Sequence, residues 1–572
     1  MWTGLPRLTV IFLLIIAQCF AVSALAGAKI SIEGGEKDLQ QNILAHIGEI
    51  DKQELSALEP LEKKVQAAFR KASRALGYYQ ATAQVLMNDK SVSLLVTPGK
   101  AVSFSRPEII IDGPGANLPE LVSLVQSPTI KAGERLIHEK YDSLKKSLLQ
   151  KLLLHGYLDA EYLKTELRLD LKTFSAEAYL HLRTGPRYTV GNVKFIGSQL
   201  NQDLLNRLSP LQEDTYVNND DILLLRRNLQ DSKYFSSVSL KQRRQTNHSL
   251  DIDVMLVDTK KHQFEVGVGF STDTGPRVRF SWYQPQLNKA GHNAEIALQL
   301  SQVEQEVSAR YMIPLAEPLT HFLQFDAGWQ KKELQDTLSE QSTVGMFITD
   351  HIFSKWRMDY GINLNYEEYI QGSQSVTDTL YFMPGIAFSK TFLPRGIDPL
   401  SGWRFWTKLS GSNGALGADT GFLRIHGQSK RIFNLGNDNT LLIARLELGA
   451  ISTNNISKIP ASLRFFTGGD QTVRGYKYES LAPEDAQGEL IGGRYLNVAS
   501  VELSHRIFDH WRAAVFADSG RAYNDSNSDF STGIGTGIRW LSPIGQIRFD
   551  VAFPLQETNS DFQIHISMGP AL

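Results

Sequence analysis

A single cysteine, Cys19, is the only thiol in the 572-residue chain. It lies in an N-terminal stretch where Arg7 precedes an apolar run from Leu8 to Val22, followed by Ala24, Leu25 and Ala26. A basic start, an apolar centre and small residues at a cleavage point read as a secretory signal peptide over residues 1–26. The run is shorter than the roughly 20 residues of a membrane anchor. Gln18 stands where a lipoprotein signal would carry Gly or Ala, so Cys19 has no lipidation context. With no other cysteine, the mature chain has no disulfide, thiol nucleophile or cysteine-based zinc site. Net charge is nearly absent too, 59 Lys and Arg against 61 Asp and Glu. No basic footprint for nucleic acid is present. Beyond the signal there is no apolar run of membrane-helix length. From Phe264 onward, over 309 residues, helical periodicity almost disappears.

What is present begins with a repeat. "ALGYYQATAQV" (75–85) is echoed by "LHGYLDAEYLK" (154–164) and more weakly by "DSKYFSSVSLK" (231–241). Tyr78, Tyr157 and Tyr234 are 79 and 77 residues apart. Each echo follows a helical pattern, as in Tyr141, Leu144, Leu148, Leu149 and Leu152, or in Ile222 to Leu229. Each is followed by an alternating strand: "VSLLVT", "AEAYLHLR" and "LDIDVMLV". "EIIIDG" and "NVKFIG" open the second and third units. The pattern predicts three small α+β units of β-α-α-β-β order over residues 27–101, 102–186 and 187–260. The alternative is three unrelated α+β pieces. The Gly-Tyr step suits a helix C-terminus, where glycine takes the left-handed turn and the aromatic plugs the layer beneath.

Residues 263–572 carry alternating segments such as "QFEVGVGF", "RVRFSWYQ", "GQIRFDVAF" and "FQIHISM". Alternating segments of about ten residues, split by turns, predict a transmembrane β-barrel. About sixteen antiparallel strands are expected, eleven before the segment at Thr467 and five after it. Trp282, Tyr283, Tyr311, Trp329, Tyr360, Tyr381 and Trp540 are expected in the interfacial girdles. A soluble sandwich is the competing architecture, but a very large one to stand without disulfides. An exported barrel belongs in a Gram-negative outer membrane, with the N-terminal units in the periplasm.

The loop "TGGDQTVRGYKYES", Thr467 to Ser480, interrupts this pattern. Side-chain alternation along the next strands gives the facing of each residue. Val501, Leu503, Val515 and Ala517 point to lipid, so Glu502, Phe516, Asp518 and Gly520 point inward. Gly535, Gly537, Arg539, Arg548 and Asp550 also point inward. Two readings of the loop stand on this basis. It folds back and lays Arg474 against Glu502 and Asp518, with Gly535 and Gly537 leaving room, or it is an ordinary solvated extracellular loop.

Other motifs carry little. "GIGTG" lies inside a strand with no helix after it, and "TPGKA" lacks the glycine and Ser/Thr of a phosphate loop. "DSNSD" opens like a calcium loop but has Phe530 and Thr536 at the glycine and acid positions. His505 and His510 lack zinc-site spacing. No G-x-S-x-G elbow occurs. No catalytic residue, cofactor site or metal site is expected, and the chain reads as a non-enzyme.

Val473, Arg474, Gly475 and Tyr476 resemble the VRGY signature of the BamA-type outer-membrane insertase and transporter superfamily. "FADSG" (516–520) is similar to its F-x-D-x-G signature, and residues 535–555 to its C-terminal strand pair. The chain ends in "SMGPAL", not in the aromatic residue of many barrel termini. The resemblance covers essentially the whole mature chain, and the repeats then correspond to POTRA domains. Three such units before sixteen strands look like the TamA type, the outer-membrane subunit of the translocation and assembly module. The resemblance implies an arginine–acid contact between Arg474 and Asp518, with Glu502 on the preceding strand. It implies assembly of unfolded outer-membrane clients such as autotransporters. It also implies an inner-membrane-anchored, periplasm-spanning TamB-like partner at the POTRA domains. A seam between the first and last strands, carrying Phe264, Gly267 and Gly269 on one side and Phe562, Ile564 and Ile566 on the other, is the expected gate. Gly267 and Gly269 weaken the first strand. A two-partner exporter of a dedicated exoprotein, a passive porin and a barrel-embedded lipid hydrolase are the alternatives.

Overall fold

The computed structural model describes residues 29–55, 57–88, 91–353, 355–394, 398–436, 438–542, 545–556 and 562–569. The expected signal peptide with Cys19, and the terminal residues 570–572, lie outside the described residues. The chain divides into two compact units, one of Met1–Asn192, Leu211–Ile222 and Gln242–Asp251, the other of Val193–Pro210, Leu223–Lys241 and Ile252–Leu572. The division passes through the third repeat.

The third repeat has the expected order, the first adds a short third helix and the second an extra short opening strand. The first runs β1 (Lys29–Glu33), α1 (Lys37–Ile47), α2 (Lys52–Leu55), α3 (Leu58–Ala75), β2 (Thr82–Asn88) and β3 (Ser91–Thr97). The second contains β4 (Ser103–Phe104), β5 (Glu108–Asp112), α4 (Pro119–Gln126), α5 (His138–Leu154), β6 (Glu161–Asp170) and β7 (Ser175–Arg183). The third contains β8 (Thr189–Ile196), α6 (Gln202–Leu208), α7 (Asn219–Asp231), β9 (Phe235–Arg244) and β10 (Ser249–Asp258). In the first two, the last strand is central, with the opening strand parallel to it and the hairpin partner antiparallel. Tyr141, Leu144, Leu148 and Leu152 form the buried stripe of α5, and Leu149 is only partly buried. This stripe packs on Ala176, Ala178, Leu180 and Leu182 of β7, which alternate onto one face. Tyr78, Tyr157 and Tyr234 are all buried.

The glycines before the first two tyrosines have φ of +86° and +85°. A Cβ on Gly77 would come within 2.6 Å of the Leu136 carbonyl, and one on Gly156 within 2.6 Å of the Val217 carbonyl. Glycine is therefore required for the left-handed turn and for close approach of the following chain. Lys233 occupies the third such position with φ of 61°. A side chain there is strained by about 1 kcal/mol. Lys233→Gly is therefore expected to raise the urea midpoint for unfolding of the repeat region by the equivalent of about that amount. An unchanged or lowered midpoint would show that the lysine side chain compensates.

The second unit contains a closed antiparallel barrel of sixteen strands, β11 (Gln263–Ser271) to β26 (Gln563–Gly569). Eleven precede the Thr467 loop and five follow it. Strands alternate apolar-out and polar-in: Val501, Val515, Ile534 and Phe553 are exposed, whereas Glu502, Phe516, Asp518 and Arg539 are buried. Among the described residues no helix is long and apolar enough to cross a membrane; the strands cross instead. Two girdle assignments need correction. Tyr381 is buried, in a lumenal cluster with Phe422 and Phe465. Tyr283 lies on the face opposite to Trp282, which is register partner of the exposed Phe264. Both tyrosines are near strand ends, but side-chain parity, not height alone, decides whether a residue meets lipid.

Closure of the barrel is uneven. β11 pairs with its hairpin partner β12 (Gly275–Gln284) at nine positions. Among the described residues it pairs with β26 at one, Ser271 with Ser567. Two bonds extend this contact: Thr272 N–H donates to the Ile566 carbonyl at 3.0 Å, and Ile566 N–H donates to Thr272 Oγ1 at 3.2 Å.

Candidate functional site: a buried arginine latch and the barrel seam

The loop after β21 (Thr440–Thr453) turns into the barrel and meets the wall formed by β22 (Tyr495–Phe508), β23 (Trp511–Tyr523), β24 (Ser531–Ser542) and β25 (Gly545–Pro554). Val473, Arg474 and Tyr476 are buried. Arg474 binds Asp518 through both sides of its fork, Nε donating to Oδ2 at 2.6 Å and Nη2 to Oδ1 at 3.0 Å. Its backbone N–H donates to the same carboxylate at 3.2 Å. Nη1 donates to Glu502 Oε2 at 2.9 Å and to Asp550 Oδ2 at 3.2 Å. The guanidinium lies over the Phe516 ring, 3.4 Å from its centroid. A planar, five-donor cation fits this site, where three carboxylates and an aromatic face converge; a lysine ammonium does not. Gly520 packs against Val473, as a Cβ there would come within 2.9 Å of that side chain. Tyr476 Oη donates to Gln556 Oε1 at 3.0 Å. The structure thus brings the eight expected loop and wall residues together.

Several participants, Arg539 and Asp550 among them, face inward by alternation but were not expected in the latch. Arg539 donates to Glu502 through Nε and Nη2, at 3.0 and 2.8 Å, and to Asp550 Oδ1 at 2.5 Å. Two guanidiniums and three carboxylates therefore form one buried network. Ser500 Oγ caps Asp518 at 2.5 Å. The glycines of β24 act differently from the expectation. Gly535 receives the Phe516 ring and Gly537 the Asp550–Arg539 pair, while the Arg474 backbone lies against Gly533. A Cβ on Gly533 would collide with the Arg474 carbonyl. Alternation already puts residue 533 inward; only the docked loop shows that its missing side chain matters.

The same loop reaches both sides of the seam. Gly475 N–H donates to His565 Nε2, on β26, at 3.1 Å. His565 Nδ1 lies 3.3 Å from Asp273 Oδ1 in the β11–β12 turn, near it but outside hydrogen-bond geometry. Asp273 Oδ2 accepts the backbone N–H of Asp470 at 2.5 Å. The loop thus bonds both the last strand, through Gly475, and the first hairpin, through Asp470, where β11 and β26 pair. Of the expected seam residues, Ile566 takes part in the contact. Among the described residues, Phe264, Gly267 and Gly269 have no register partner on β26, and Ile564 pairs only with Val551 of β25. Phe562 lies before β26, its ring tilted against that of Phe553. The register offset between the two strands separates the two halves of that set.

Residues 286–571, half of the chain, match the Omp85 superfamily domain. The chain belongs to the Omp85 superfamily. Residues 29–98 match the POTRA domain TamA domain 1, so the first repeat is a POTRA domain of an Omp85 protein. The outer membrane protein assembly factor BamA of Nitratidesulfovibrio vulgaris is 23% identical over 394 residues, covering 62% of this chain and 49% of its own. BamA of Neisseria meningitidis serogroup B is 20% identical over 546 residues, covering 82% and 67%. The chain spans about half the length of the curated relatives it matches. The crystal structure of BamA from Haemophilus ducreyi lacking POTRA domains 1–3 shares the fold, with a TM-score of 0.70 at 16% identity over 82% of this chain and 99% of that one. As an Omp85 barrel, the protein is an outer-membrane protein.

Proposed function

We propose that this Omp85 protein is a non-enzymatic assembly factor that helps insert or secrete β-barrel clients, autotransporters among them, by offering a strand edge at the β11–β26 seam. The observation that carries this reading is that, among the described residues, the seam holds a single register pair, against nine on the other side of β11. Unpaired backbone groups in hydrocarbon cost several kcal/mol each. A client strand that adds to this edge satisfies those groups, and strand addition is an established mode of recognition. Client folding then supplies the driving force without a nucleotide. That the BamA relatives are outer membrane protein assembly factors supports this reading, and the TamA-type first repeat supports the narrower one. In the narrower reading the POTRA domains lie in the periplasm and dock an inner-membrane-anchored, periplasm-spanning partner of the TamB kind.

Ser271 and Ser567 are direct partners, so a Ser271→Cys/Ser567→Cys pair has the approach a disulfide needs. The only native cysteine is Cys19. Oxidation of this variant is expected to abolish client insertion, and reductant to restore it. Full insertion with the seam closed covalently would refute the proposal. Export of a dedicated exoprotein without client insertion would favour the two-partner exporter.

A further inference from the structure

We propose that the barrel lumen holds a binding site for a phosphate-type oxyanion, built by Lys430, Arg445 and Arg548. Lys430 belongs to β20 (Phe422–Asn434), Arg445 to β21 and Arg548 to β25. All three line one lumenal cavity of about 660 Å³. That volume falls in the range of small-ligand pockets. Its lining carries eight arginines and lysines against four acids.

The three cations are poorly satisfied by the protein. Lys430 and Arg445 stand directly opposite each other across the β20–β21 ladder. Like charges in that relation destabilise a sheet. Among the described residues, Lys430 has no hydrogen-bond or ion-pair partner. Arg445 donates from Nη2 to the Thr472 carbonyl at 2.5 Å, but its Nε is buried without a partner. The Nε of Arg548 is buried and unpartnered as well. The neighbouring acids are engaged elsewhere. Glu447 accepts from His426 and Gln428, both at 2.9 Å. Glu479 is held by Lys332 at 2.7 Å. Asp470 takes Ser271 and Gln471, and the latch carboxylates are bound to Arg474 and Arg539.

An oxyanion that enters this cavity would remove the repulsion and supply acceptors to both orphaned guanidinium N–H groups and to the ammonium. Charge-assisted bonds of this kind are about twice as strong as neutral ones. A tetrahedral group suits cations that converge from different parts of the wall, since it presents oxygens in several directions, where a carboxylate presents two in one plane. Ser271 and Ser567 at the seam line the same cavity. The phosphate can therefore come from solution or from a lipid headgroup at the seam.

The test uses the full chain in zwitterionic micelles, with pyrophosphate as the soluble probe and chloride at matched ionic strength as the control. Pyrophosphate is expected to raise the melting temperature of the wild type above the chloride value and to bind saturably in calorimetry. Lys430→Met and Arg548→Gln are each expected to weaken that binding at least tenfold. In chloride both variants should melt no lower than the wild type, because a repulsive charge has been removed. If pyrophosphate does not bind, but the wild type retains phosphatidylglycerol over phosphatidylcholine from nanodiscs and both variants lose that preference, the site is assigned to a lipid phosphate. Equal melting in both salts with no lipid preference overturns the proposal. So does binding that survives both substitutions, or binding of a client C-terminal peptide where phosphate has no effect.

Discussion

Replacing Arg474 by alanine is expected to cost the barrel about 3–5 kcal/mol, the loss typical when one side of a buried ion pair is removed. The reason is the charge left behind. Asp518 loses both of its fork bonds, and Glu502 and Asp550 each lose a donor, in a site shielded by the docked loop. Water does not replace the guanidinium without expelling the loop. The variant should therefore show a lowered urea midpoint for the folded barrel band and new protease cleavage within residues 467–491. Arg474→Lys keeps the charge but cannot hold Asp518 with two bonds while reaching Glu502 and Asp550. Its loss should be smaller, about 1.5–3 kcal/mol, the worth of one hydrogen bond to a charged group. Lys458→Ala removes an exposed cation outside this network and serves as the control, with no expected change. An alanine variant within about 1 kcal/mol of wild type, against that 3–5 kcal/mol expectation, with the loop still protected, would show that the latch does not hold the wall.

Arg539→Met should be as damaging, again about 3–5 kcal/mol. Arg539 is almost wholly buried, and its three bonds to acids hold both carboxylates of the wall that Arg474 touches only through Nη1. Without it Glu502 retains one donor and Asp550 one weaker contact, so the loop itself should loosen. Pairing the substitution with Glu502→Gln removes charge from both sides. The double variant should then be less unstable than the sum of the two single ones, with a coupling of about 0.5–3 kcal/mol. Strict additivity in the urea midpoints would mean that Arg539 and Glu502 do not act as a unit.

How much of this was readable differs from residue to residue. Glu502 and Asp518 were legible because each alternates with apolar neighbours on its own strand, and period-two facing needs no tertiary information. Asp550 and Arg548 are both inward by the same rule, two residues apart on β25. Yet Asp550 joins the latch, and Arg548 faces the cavity with an unpartnered Nε. Height in the lumen separates them, and height depends on tilt and stagger around the whole barrel. Arg539 was placed inward as well, but its choice of Glu502 depends on the register across β22, β23 and β24.

The sequence by itself determined the three repeats, the sixteen strands, the direction in which each side chain points and the unusual loop, because these depend on local periodicity and turn chemistry. Tertiary structure alone decided which inward residues meet. His565 and Asp273 are neighbours only because the barrel closes, bringing the last strand beside the first hairpin. The register that joins Ser271 to Ser567 is likewise a property of closure, since register between two strands is set by the whole ring and is written in neither strand alone.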